Sequence, residues 1–561
     1  MTAPVELYDT TLRDGVQREG LSFSLEDKLK VARRLDALGV QYVEGGYPGS
    51  NPRDQEFFAR ARAMTWQGAT VVAFGATRYK GNRAADDPNL KALLDAGTAA
   101  VTIVCKSSRF QVREVLAVAP EENLAMIGES VAFLHGHGRR VFHDAEHFFD
   151  AWKEDRDYAL ATLRAARAAG AEGLVLCDTN GGTLPWEVAE IVRAVAAEFG
   201  PGAPGPTGGA AVGIHTHNDA ELAVANTLAA VQAGATHIQG TINGYGERCG
   251  NANLCAIIPN LKLKLGLDCV SDAQLASLTE TAHYVSELAN LKPDDHMAYV
   301  GASAFAHKAG YHADAMRKNP LSYQHVRPEV VGNEARILIS ELSGRGAVAS
   351  KAESLGLRLG TGDEVRAVVD RVKQLESRGY QFEGAEASFE LMVRRLDRAY
   401  VPPFELIDFM VMVETRGGRD MLAEAMVKIG IGGGDREERA PGAPGANGTN
   451  GTNGPAGRVS TRTLHTAGEG NGPVNALDAA LRKALVEFYP EVQEIRLTDY
   501  KVRVIDEGSG TEATVRVMID SSDGESSWTT VGSSPNIIEA SWLALADSLE
   551  YGLQRVLARR K

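Results

Sequence analysis

The sequence predicts a TIM (β/α)₈ barrel that is followed by a helical linker and a C-terminal α+β domain. Three observations support this fold class. The first 270 residues alternate short β-rich runs with Ala-, Leu- and Arg-rich stretches, polar residues follow most of the β-rich runs, and the 561-residue chain is too long for one hydrophobic core. An open, doubly wound parallel sheet is the alternative architecture.

Eight strands are predicted within residues 1–270, which form the predicted catalytic domain. The β-rich runs are Val5–Tyr8, Tyr42–Glu44, Thr70–Phe74, Ala100–Val104, Arg140–His143, Gly173–Cys177, Val212–His215 and His237–Thr241. Between them, Leu25–Leu38 has apolar residues at helical spacing, and Asp157–Ala169 runs into Gly170 as a helix end does. Eight strands with intervening helices favour a closed barrel over an open sheet.

Residues 271–398 are predicted to be a linker made of helices. Residues 399–561 are predicted to form the α+β domain, with Phe404–Glu414 as a buried strand and Ala423–Ile429 as the next strand, after a turn at Thr415–Asp420. Gly432–Arg458 is rich in Gly, Pro, Asn and Ala, and we predict a disordered insertion there. The remaining predicted elements are helices at Asn475–Phe488 and Ile537–Ala558, and strands at Ile495–Ile505 and Thr511–Ile519.

Composition excludes several classes of protein. The net charge of −14 argues against a nucleic-acid partner, which would require a basic face. The chain has no apolar run of membrane-spanning length, and its first residues lack the features of a signal peptide. None of the five cysteines forms a CxxC pair, which argues against a disulfide framework. We therefore expect a cytoplasmic protein with no membrane partner.

Candidate site residues follow the predicted strands, because active sites of parallel barrels form at the carboxyl ends of the strands. Acids, imidazoles and amides follow six of the eight predicted strands. Among them, Gln17, Glu44 and Asp144 follow strands 1, 2 and 5, and we predict that they bind substrate.

His215 and His217 are two residues apart on one strand, so their side chains point to the same face. Together with Asp14 from strand 1, they predict a site for a divalent metal, which could be Mg²⁺, Mn²⁺ or Zn²⁺. Arg13, beside Asp14, would stabilise an oxyanion that forms near the metal. The alternatives are hydrogen-bonded structural histidines and a surface salt bridge. The backbone of the Gly244–Gly250 loop either contacts a ligand or forms an ordinary turn.

Three segments carry a resemblance to a known family. DTTLRDGVQ from Asp9, HTHND from His215 and NGYGERCGNANL from Asn243 resemble the barrel enzymes that condense acetyl-CoA with a 2-oxo acid. These are the isopropylmalate, citramalate and homocitrate synthases, and the hydroxymethylglutaryl-CoA lyases share their barrel. GNGPVNALDAAL from Gly470 and NIIEASWLAL from Asn536 resemble the regulatory domain of the isopropylmalate and citramalate synthases.

The resemblance implies roles for individual residues. The implied metal ligands are Asp14, His215, His217 and Asn251. The implied catalytic residues are Arg13, which polarises the keto oxygen, the strand-5 acid Glu146, His312 and Tyr323. Thr179 is the implied hydrogen-bonding group to the oxo acid. The family supplies its catalytic histidine from the partner subunit, so His312 implies a homodimer, with the linker completing the active site. Without the resemblance, His312 would be a helix-surface histidine.

The choice of 2-oxo acid depends on three variant segments. The sequences EGGYPGSN after strand 2, DAEHFFD after strand 5 and CDTNGGTLP after strand 6 resemble one subgroup of citramalate synthases. They favour an acyltransferase that joins acetyl-CoA and pyruvate, hydrolyses the thioester and releases (R)-citramalate and CoA. The alternatives are isopropylmalate or homocitrate synthesis, a metal-dependent lyase, a barrel hydrolase and a non-catalytic amino-acid sensor.

The C-terminal domain is expected to bind an amino-acid effector. Citramalate leads toward isoleucine, so the resemblance implies isoleucine as the inhibitor, and leucine if the substrate is a different oxo acid. The loop Gly468–Pro473 precedes a predicted helix, so its backbone amides could hold the effector carboxylate. An ordinary capped helix start is the alternative.

Overall fold

The structure is a computed structural model. It describes residues 5–201, 209–308, 310–340, 345–357, 359–360, 362–397, 399–414, 422–431, 462–505 and 512–560. Within it the chain forms two compact units. The first unit contains Met1–Phe305 and Gln324–Ala335, and the second contains Ala306–Tyr323 and Arg336–Lys561. The predicted insertion at Gly432–Arg458 and the predicted turn at Thr415–Asp420 lie outside the described residues.

The first unit contains a closed barrel of eight parallel strands, so the predicted barrel is confirmed and the open sheet is wrong. The ring closes where β1 pairs with β8, with Glu6 beside His237. The strands are β1 Glu6–Asp9, β2 Tyr42–Gly46, β3 Thr70–Ala76, β4 Ala100–Lys106, β5 Arg140–Glu146, β6 Gly173–Asp178, β7 Ala211–Thr216 and β8 His237–Gly240.

Helices of the first unit follow the strands and cover the barrel. They are Leu25–Leu38, Pro52–Arg62, Pro88–Asp95, Arg109–Gln111, Pro120–Gly136, Phe148–Glu154, Arg156–Ala168, Pro185–Phe199, Ala223–Gln232, Leu254–Pro259, Asp272–Leu275 and Leu278–Leu288. The first helix has the predicted bounds. It begins at Ser24, which forms a capping box with Asp27, and it ends at Gly39 with φ 88°.

The barrel interior has an apolar lower end, toward the amino-terminal ends of the strands, and a polar upper end, at their carboxyl ends. Alternate residues of a strand point inward, so each strand contributes to both levels. An aromatic and aliphatic cluster fills the lower level, formed by Tyr8, Tyr42, Val72, Ala100 and Phe142. Inward positions nearer the carboxyl ends of the strands therefore carry the polar side chains described below.

The second unit begins with a helical part. Its short parallel strands are β9 Ala306–His307 and β10 Arg336–Ile337. Its helices are Gly310–Lys318, Arg345–Ser354, Gly362–Glu376 and Glu386–Arg394. Buried apolar residues of these segments, including Ile339, Val348, Val368, Phe382 and Phe389, form a separate hydrophobic core.

Two antiparallel three-stranded sheets complete the second unit and confirm the predicted α+β domain. The first sheet contains β11 Glu405–Glu414, β12 Leu422–Ile431 and β13 Arg462–Gly470, and the second contains β14 Arg496–Val504, β15 Val515–Ser522 and β16 Ser527–Ser534. Helices Pro473–Leu485 and Ile537–Arg559 share a hydrophobic core with the two sheets. Strand β16 was not predicted, because its sequence SWTTVGSS lacks an apolar run.

Two predictions for this domain are wrong. The strand predicted to be buried, Phe404–Glu414, corresponds to β11, an edge strand in which Met410 and Met412 are each 52% exposed. Only its other face, including Phe409, packs against the core, and the face that carries Met410 and Met412 remains exposed. The predicted six-residue loop Gly468–Pro473 is also wrong, since Gly468 to Gly470 pair with β12 and leave two residues before the helix.

None of the helices in the described ranges combines the length and apolar content required to cross a lipid bilayer.

Candidate active site

Asp14, His215 and His217 converge at the upper end of the barrel. Asp14 lies in the turn after β1, where its backbone amide donates to the carbonyl of Thr10, and the two histidines lie at the end of β7. Asp14 Oδ2 is 3.3 Å from His215 Nε2 and 3.9 Å from His217 Nε2. The two Nε2 atoms are 3.3 Å apart, and all three residues are buried. The structure thus brings together the three residues that the sequence singled out as metal ligands.

The protonation of Asp14 and of His217 suits a cation. Burial raises the pKa of Asp14, but the charge of Arg13 and the hydrogen bond from His215 outweigh it, so the net pKa is lowered and the carboxylate is charged. Burial, followed by the charge of His215, lowers the pKa of His217 to about 4, so its imidazole is neutral at pH 7. Burial also lowers the pKa of His215, but Asp14 raises it more. A carboxylate and imidazole nitrogens within 4.8 Å of one another can hold a divalent metal.

Asn251 joins the cluster through the loop after β8. Its Nδ2 donates to Asp14 Oδ2 over 2.9 Å, and the residue is buried. Its Oδ1 is buried and has no hydrogen-bond partner in the described part of the chain. Gly246 makes this position possible, since a Cβ there would lie 1.9 Å from Asn251 Oδ1. The glycine-rich loop therefore allows an amide side chain to approach the cluster.

Arg13 is held beside the cluster by a carboxylate and an aromatic ring. Its Nε donates to Glu44 Oε2 over 2.6 Å, and its Nη1 is 3.5 Å from Asp14 Oδ2. The guanidinium carbon lies 3.9 Å from the ring centroid of Phe74, within the distance for a cation–π contact. Because these partners are buried, the arginine presents a fixed positive charge rather than a surface salt bridge.

Glu44 and Asp144 lie deeper in the barrel. Glu44 is fully buried and accepts hydrogen bonds from Tyr8, Thr10 and Arg13. Asp144 accepts a hydrogen bond from Gln239 Nε2 over 3.0 Å. Burial, followed by the nearby charge of Glu44, raises the pKa of Asp144 to about 7.

The other predicted rim residues lie at the ends of their strands. Glu146, the last residue of β5, forms an ion pair with Lys106 at the end of β4. Thr179 follows β6, and its hydroxyl accepts a hydrogen bond from the backbone amide of His147 over 2.8 Å. Gln17 is exposed at the end of the turn after β1.

His312 and Tyr323, both predicted to be catalytic, lie in the second unit. His312 is in the helix Gly310–Lys318, and its ring stacks on that of Tyr323, with centroids 4.1 Å apart and planes at 27°. The ring centroid of His307 is 6.4 Å from that of His312. The structure therefore places the rings of His312 and Tyr323 in contact with each other.

Comparison with known proteins identifies the family. The HMGL-like family model matches residues 4–285, the homocitrate synthase post-HMGL domain-like model matches 299–380, and the LeuA allosteric (dimerisation) domain matches 383–553. The (R)-citramalate synthase of Geobacter sulfurreducens is 48% identical over 98% of both chains. That of Synechocystis sp. is 49% identical over 98% of this chain and 96% of its own. The chain belongs to the (R)-citramalate synthase family.

Isopropylmalate synthases are less similar to this chain than these citramalate synthases are. The probable 2-isopropylmalate synthase of Methanopyrus kandleri is 31% identical over 99% of both chains. The resemblance that the barrel motifs indicated is thus confirmed along the full length of the chain.

Two residues that position this site were not predicted from the sequence. Phe74, in β3, contacts the Arg13 guanidinium, and Gln239, in β8, bonds to both Asp144 and His215. Gln239 was detectable in principle, because a polar residue that alternates with buried apolar residues on a barrel strand indicates an inward polar contact. Phe74 has no such signal, since aromatic residues are common in buried strands.

Proposed function

We propose that the chain condenses acetyl-CoA with pyruvate and hydrolyses the resulting thioester to (R)-citramalate and CoA. One structural observation supports this reaction. The Arg13 guanidinium lies 3.5 Å from Asp14, which belongs to the cluster that could hold a metal. A fixed cation beside a Lewis-acid site suits a reaction in which negative charge develops on a keto oxygen. The substrate pair is proposed from the relatives named (R)-citramalate synthase, at 48% and 49% identity over nearly the whole chain.

In this proposal Asp14, His215 and His217 hold a divalent metal, and Asn251 contributes near it. The charged carboxylate of Asp14 and the neutral imidazole of His217 support this assignment, and Asn251 contacts Asp14 through its Nδ2. Mg²⁺, Mn²⁺ or Zn²⁺ bound there would act as a Lewis acid toward the carboxylate and keto oxygen of pyruvate.

The side chains around the cluster have distinct proposed roles. Glu44 and Phe74 orient Arg13 so that its charge neutralises the alkoxide that forms from the keto group. Gln17, Asp144 and Thr179 are the proposed polar contacts to substrate. Glu44 is assigned to orienting Arg13, because its oxygens accept three hydrogen bonds from the protein.

His312, paired with Tyr323, is the proposed base that removes a proton from the acetyl methyl group, with Glu146 as its support or alternative. The methyl carbon then bonds to the carbonyl carbon of pyruvate, and the resulting alkoxide takes up a proton to become the hydroxyl group of the product. Water adds to the thioester carbonyl, CoA leaves as the thiol, and a carboxylate remains.

We further propose a homodimer in which His312 acts on the barrel of the partner subunit. The match to a dimerisation domain over residues 383–553 supports a dimer. The proposed domains are the barrel at 1–270, the helical linker at 271–398 and the regulatory domain at 399–561. The proposed effector is isoleucine.

The deciding experiment measures CoA release with pyruvate and with 2-oxoisovalerate, before and after treatment with a chelator. The expected result is a higher kcat/KM with pyruvate, loss of turnover after chelation and recovery when a divalent metal is added. Reactions without a 2-oxo acid serve as the control for simple acetyl-CoA hydrolysis. Faster turnover of 2-oxoisovalerate would identify an isopropylmalate synthase instead, and no CoA release with either substrate would overturn the proposal.

A further inference from the structure

Gln239 forms a hydrogen-bonded bridge between two elements of the barrel interior. The residue lies in β8 and is fully buried. Its Nε2 donates to Asp144 Oδ1 over 3.0 Å, and its Oε1 lies 2.8 Å from His215 Nδ1. Because an amide oxygen only accepts hydrogen bonds, the contact with His215 requires a proton on Nδ1.

We propose that Gln239 is a positioning residue that holds His215 in the tautomer and ring orientation required to bind a divalent metal. With the proton on Nδ1, the Nε2 lone pair of a neutral His215 is available for a metal. That Nε2 atom faces Asp14 Oδ2 and His217 Nε2, each 3.3 Å away. Asp144 contributes by accepting from the amide NH₂ group, which leaves the amide oxygen directed at His215.

The other histidine of the cluster lacks such a partner. His217 Nδ1 is buried and has no hydrogen-bond partner in the described part of the chain. The two imidazoles therefore differ. The Nδ1 atom of His215 contacts the Gln239 side chain, whereas within the described residues Nδ1 of His217 has no such contact. Removal of the Gln239 amide is expected to act on metal binding through His215 alone.

This inference rests on the metal site of the proposed function, and metal affinity tests it without turnover. Mn²⁺ is titrated calorimetrically into the metal-free full-length protein and into Gln239→Met, which keeps the side-chain length but removes both hydrogen bonds. The dissociation constant is expected to rise roughly 10- to 100-fold, as is typical when a partner of a ligating histidine is lost. Gln239→Glu retains an acceptor for Nδ1–H but loses the donor to Asp144, so it is expected to weaken Mn²⁺ binding less than Gln239→Met does.

Gln41→Met is the matched control. Gln41 is a half-buried glutamine whose amide contacts Leu7, Gly39 and Cys269 at the amino-terminal end of the barrel. Its substitution is expected to reduce thermal stability without changing the Mn²⁺ affinity. If Gln239→Met does not fold, as judged by thermal unfolding without metal, Gln239→Leu and Gln239→Glu provide the comparison.

The outcomes separate this inference from the metal site itself. Unchanged Mn²⁺ affinity in Gln239→Met, or equal weakening in Gln239→Met and Gln239→Glu, would overturn the positioning role. His215→Ala is titrated in parallel. If His215→Ala binds Mn²⁺ normally, the proposed metal site is wrong; if it loses binding while Gln239→Met does not, only the positioning role is wrong.

Discussion

Arg13 and Glu44 form a buried ion pair in which Nε donates to Oε2 over 2.6 Å. The pair connects the turn after β1 to strand β2, so it links the first two strands of the barrel at the site. Removing one partner of a buried pair leaves an uncompensated charge, which costs about 3–5 kcal/mol.

Glu44→Ala is therefore expected to lower the free energy of unfolding by about 3–5 kcal/mol and to reduce kcat/KM, because Arg13 loses its orientation. Urea unfolding and steady-state kinetics measure the two effects. Glu26→Ala is the matched control, since the Glu26–Arg60 pair is about half exposed and should contribute less than about 1 kcal/mol. Equal losses of unfolding free energy in Glu44→Ala and Glu26→Ala would show that the Arg13–Glu44 pair stabilises the protein no more than an exposed pair does.

A methyl group at Gly246 is predicted to damage the site without unfolding the barrel. The added Cβ of Gly246→Ala would lie 1.9 Å from Asn251 Oδ1, so the amide must move away from Asp14. We expect weaker metal affinity and at least a tenfold loss of activity, in the range found when groups around a metal are lost (roughly 10- to 100-fold). Gly182→Ala is the control, because nothing lies within 4 Å of a Cβ there. Equal activity of the two variants would show that the Asn251 position is not required.

Asp9 is predicted to make stability depend on pH. The residue is fully buried, and burial raises its pKa from 3.8 to about 7, although hydrogen bonds from Thr11 oppose the shift. Between pH 4 and pH 7 the folded state keeps a proton that the unfolded state has released. The contribution of Asp9 to the free energy of unfolding therefore falls as pH rises, by at most about 1.4 kcal/mol per pH unit.

Asp9→Asn removes this titration. Unfolding free energies of both proteins are measured by urea between pH 4.5 and 7.5 in the presence of a chelator. The difference, unmodified protein minus Asp9→Asn, is expected to decrease with rising pH and to level off above pH 7. A difference that is constant across this range would show that Asp9 does not titrate there.

Mixed dimers test the proposed role of His312 in the partner's site. Arg13→Ala and His312→Ala chains, each inactive alone, are mixed under conditions that exchange subunits. One site of each mixed dimer would then have both residues intact, so partial activity is expected to return. Mixing Arg13→Ala with His215→Ala is the control, since each chain then carries a defect in its own barrel and both barrels of every mixed dimer are defective. That control pair leaves no intact site. Recovered activity with the control pair, or no recovery when Arg13→Ala is mixed with His312→Ala, would contradict the proposal.

The sequence predicted the barrel well because its strands and helices have strong, regular periodicity. Leu25–Leu38 was predicted with its true bounds from apolar residues at helical spacing, and in the structure Ser24 and Gly39 cap it. The C-terminal domain was less predictable. An apolar run such as that of β11 has the same composition whether one or both of its faces are covered, so sequence alone assigned it wrongly to the interior.

The site was predictable where residue type and strand position coincide. His215 and His217 share a face by the period of a strand, and Asp14 lies in the turn after β1, so their convergence follows from barrel geometry. The contacts that orient these groups were not predictable. The bond between Gln239 and His215 depends on the register between β7 and β8, which the sequence does not specify.

The pairing of β1 with β8 has a consequence for synthesis of the protein. Asp14 follows the first strand, whereas His215 and Asn251 come from the seventh strand and from the loop after the last. These groups meet only when the ring closes, with Glu6 beside His237. A nascent chain on the ribosome therefore has none of the assembled cluster until nearly the whole barrel has emerged, so uptake of the proposed ion would mark the completion of barrel folding and not its start.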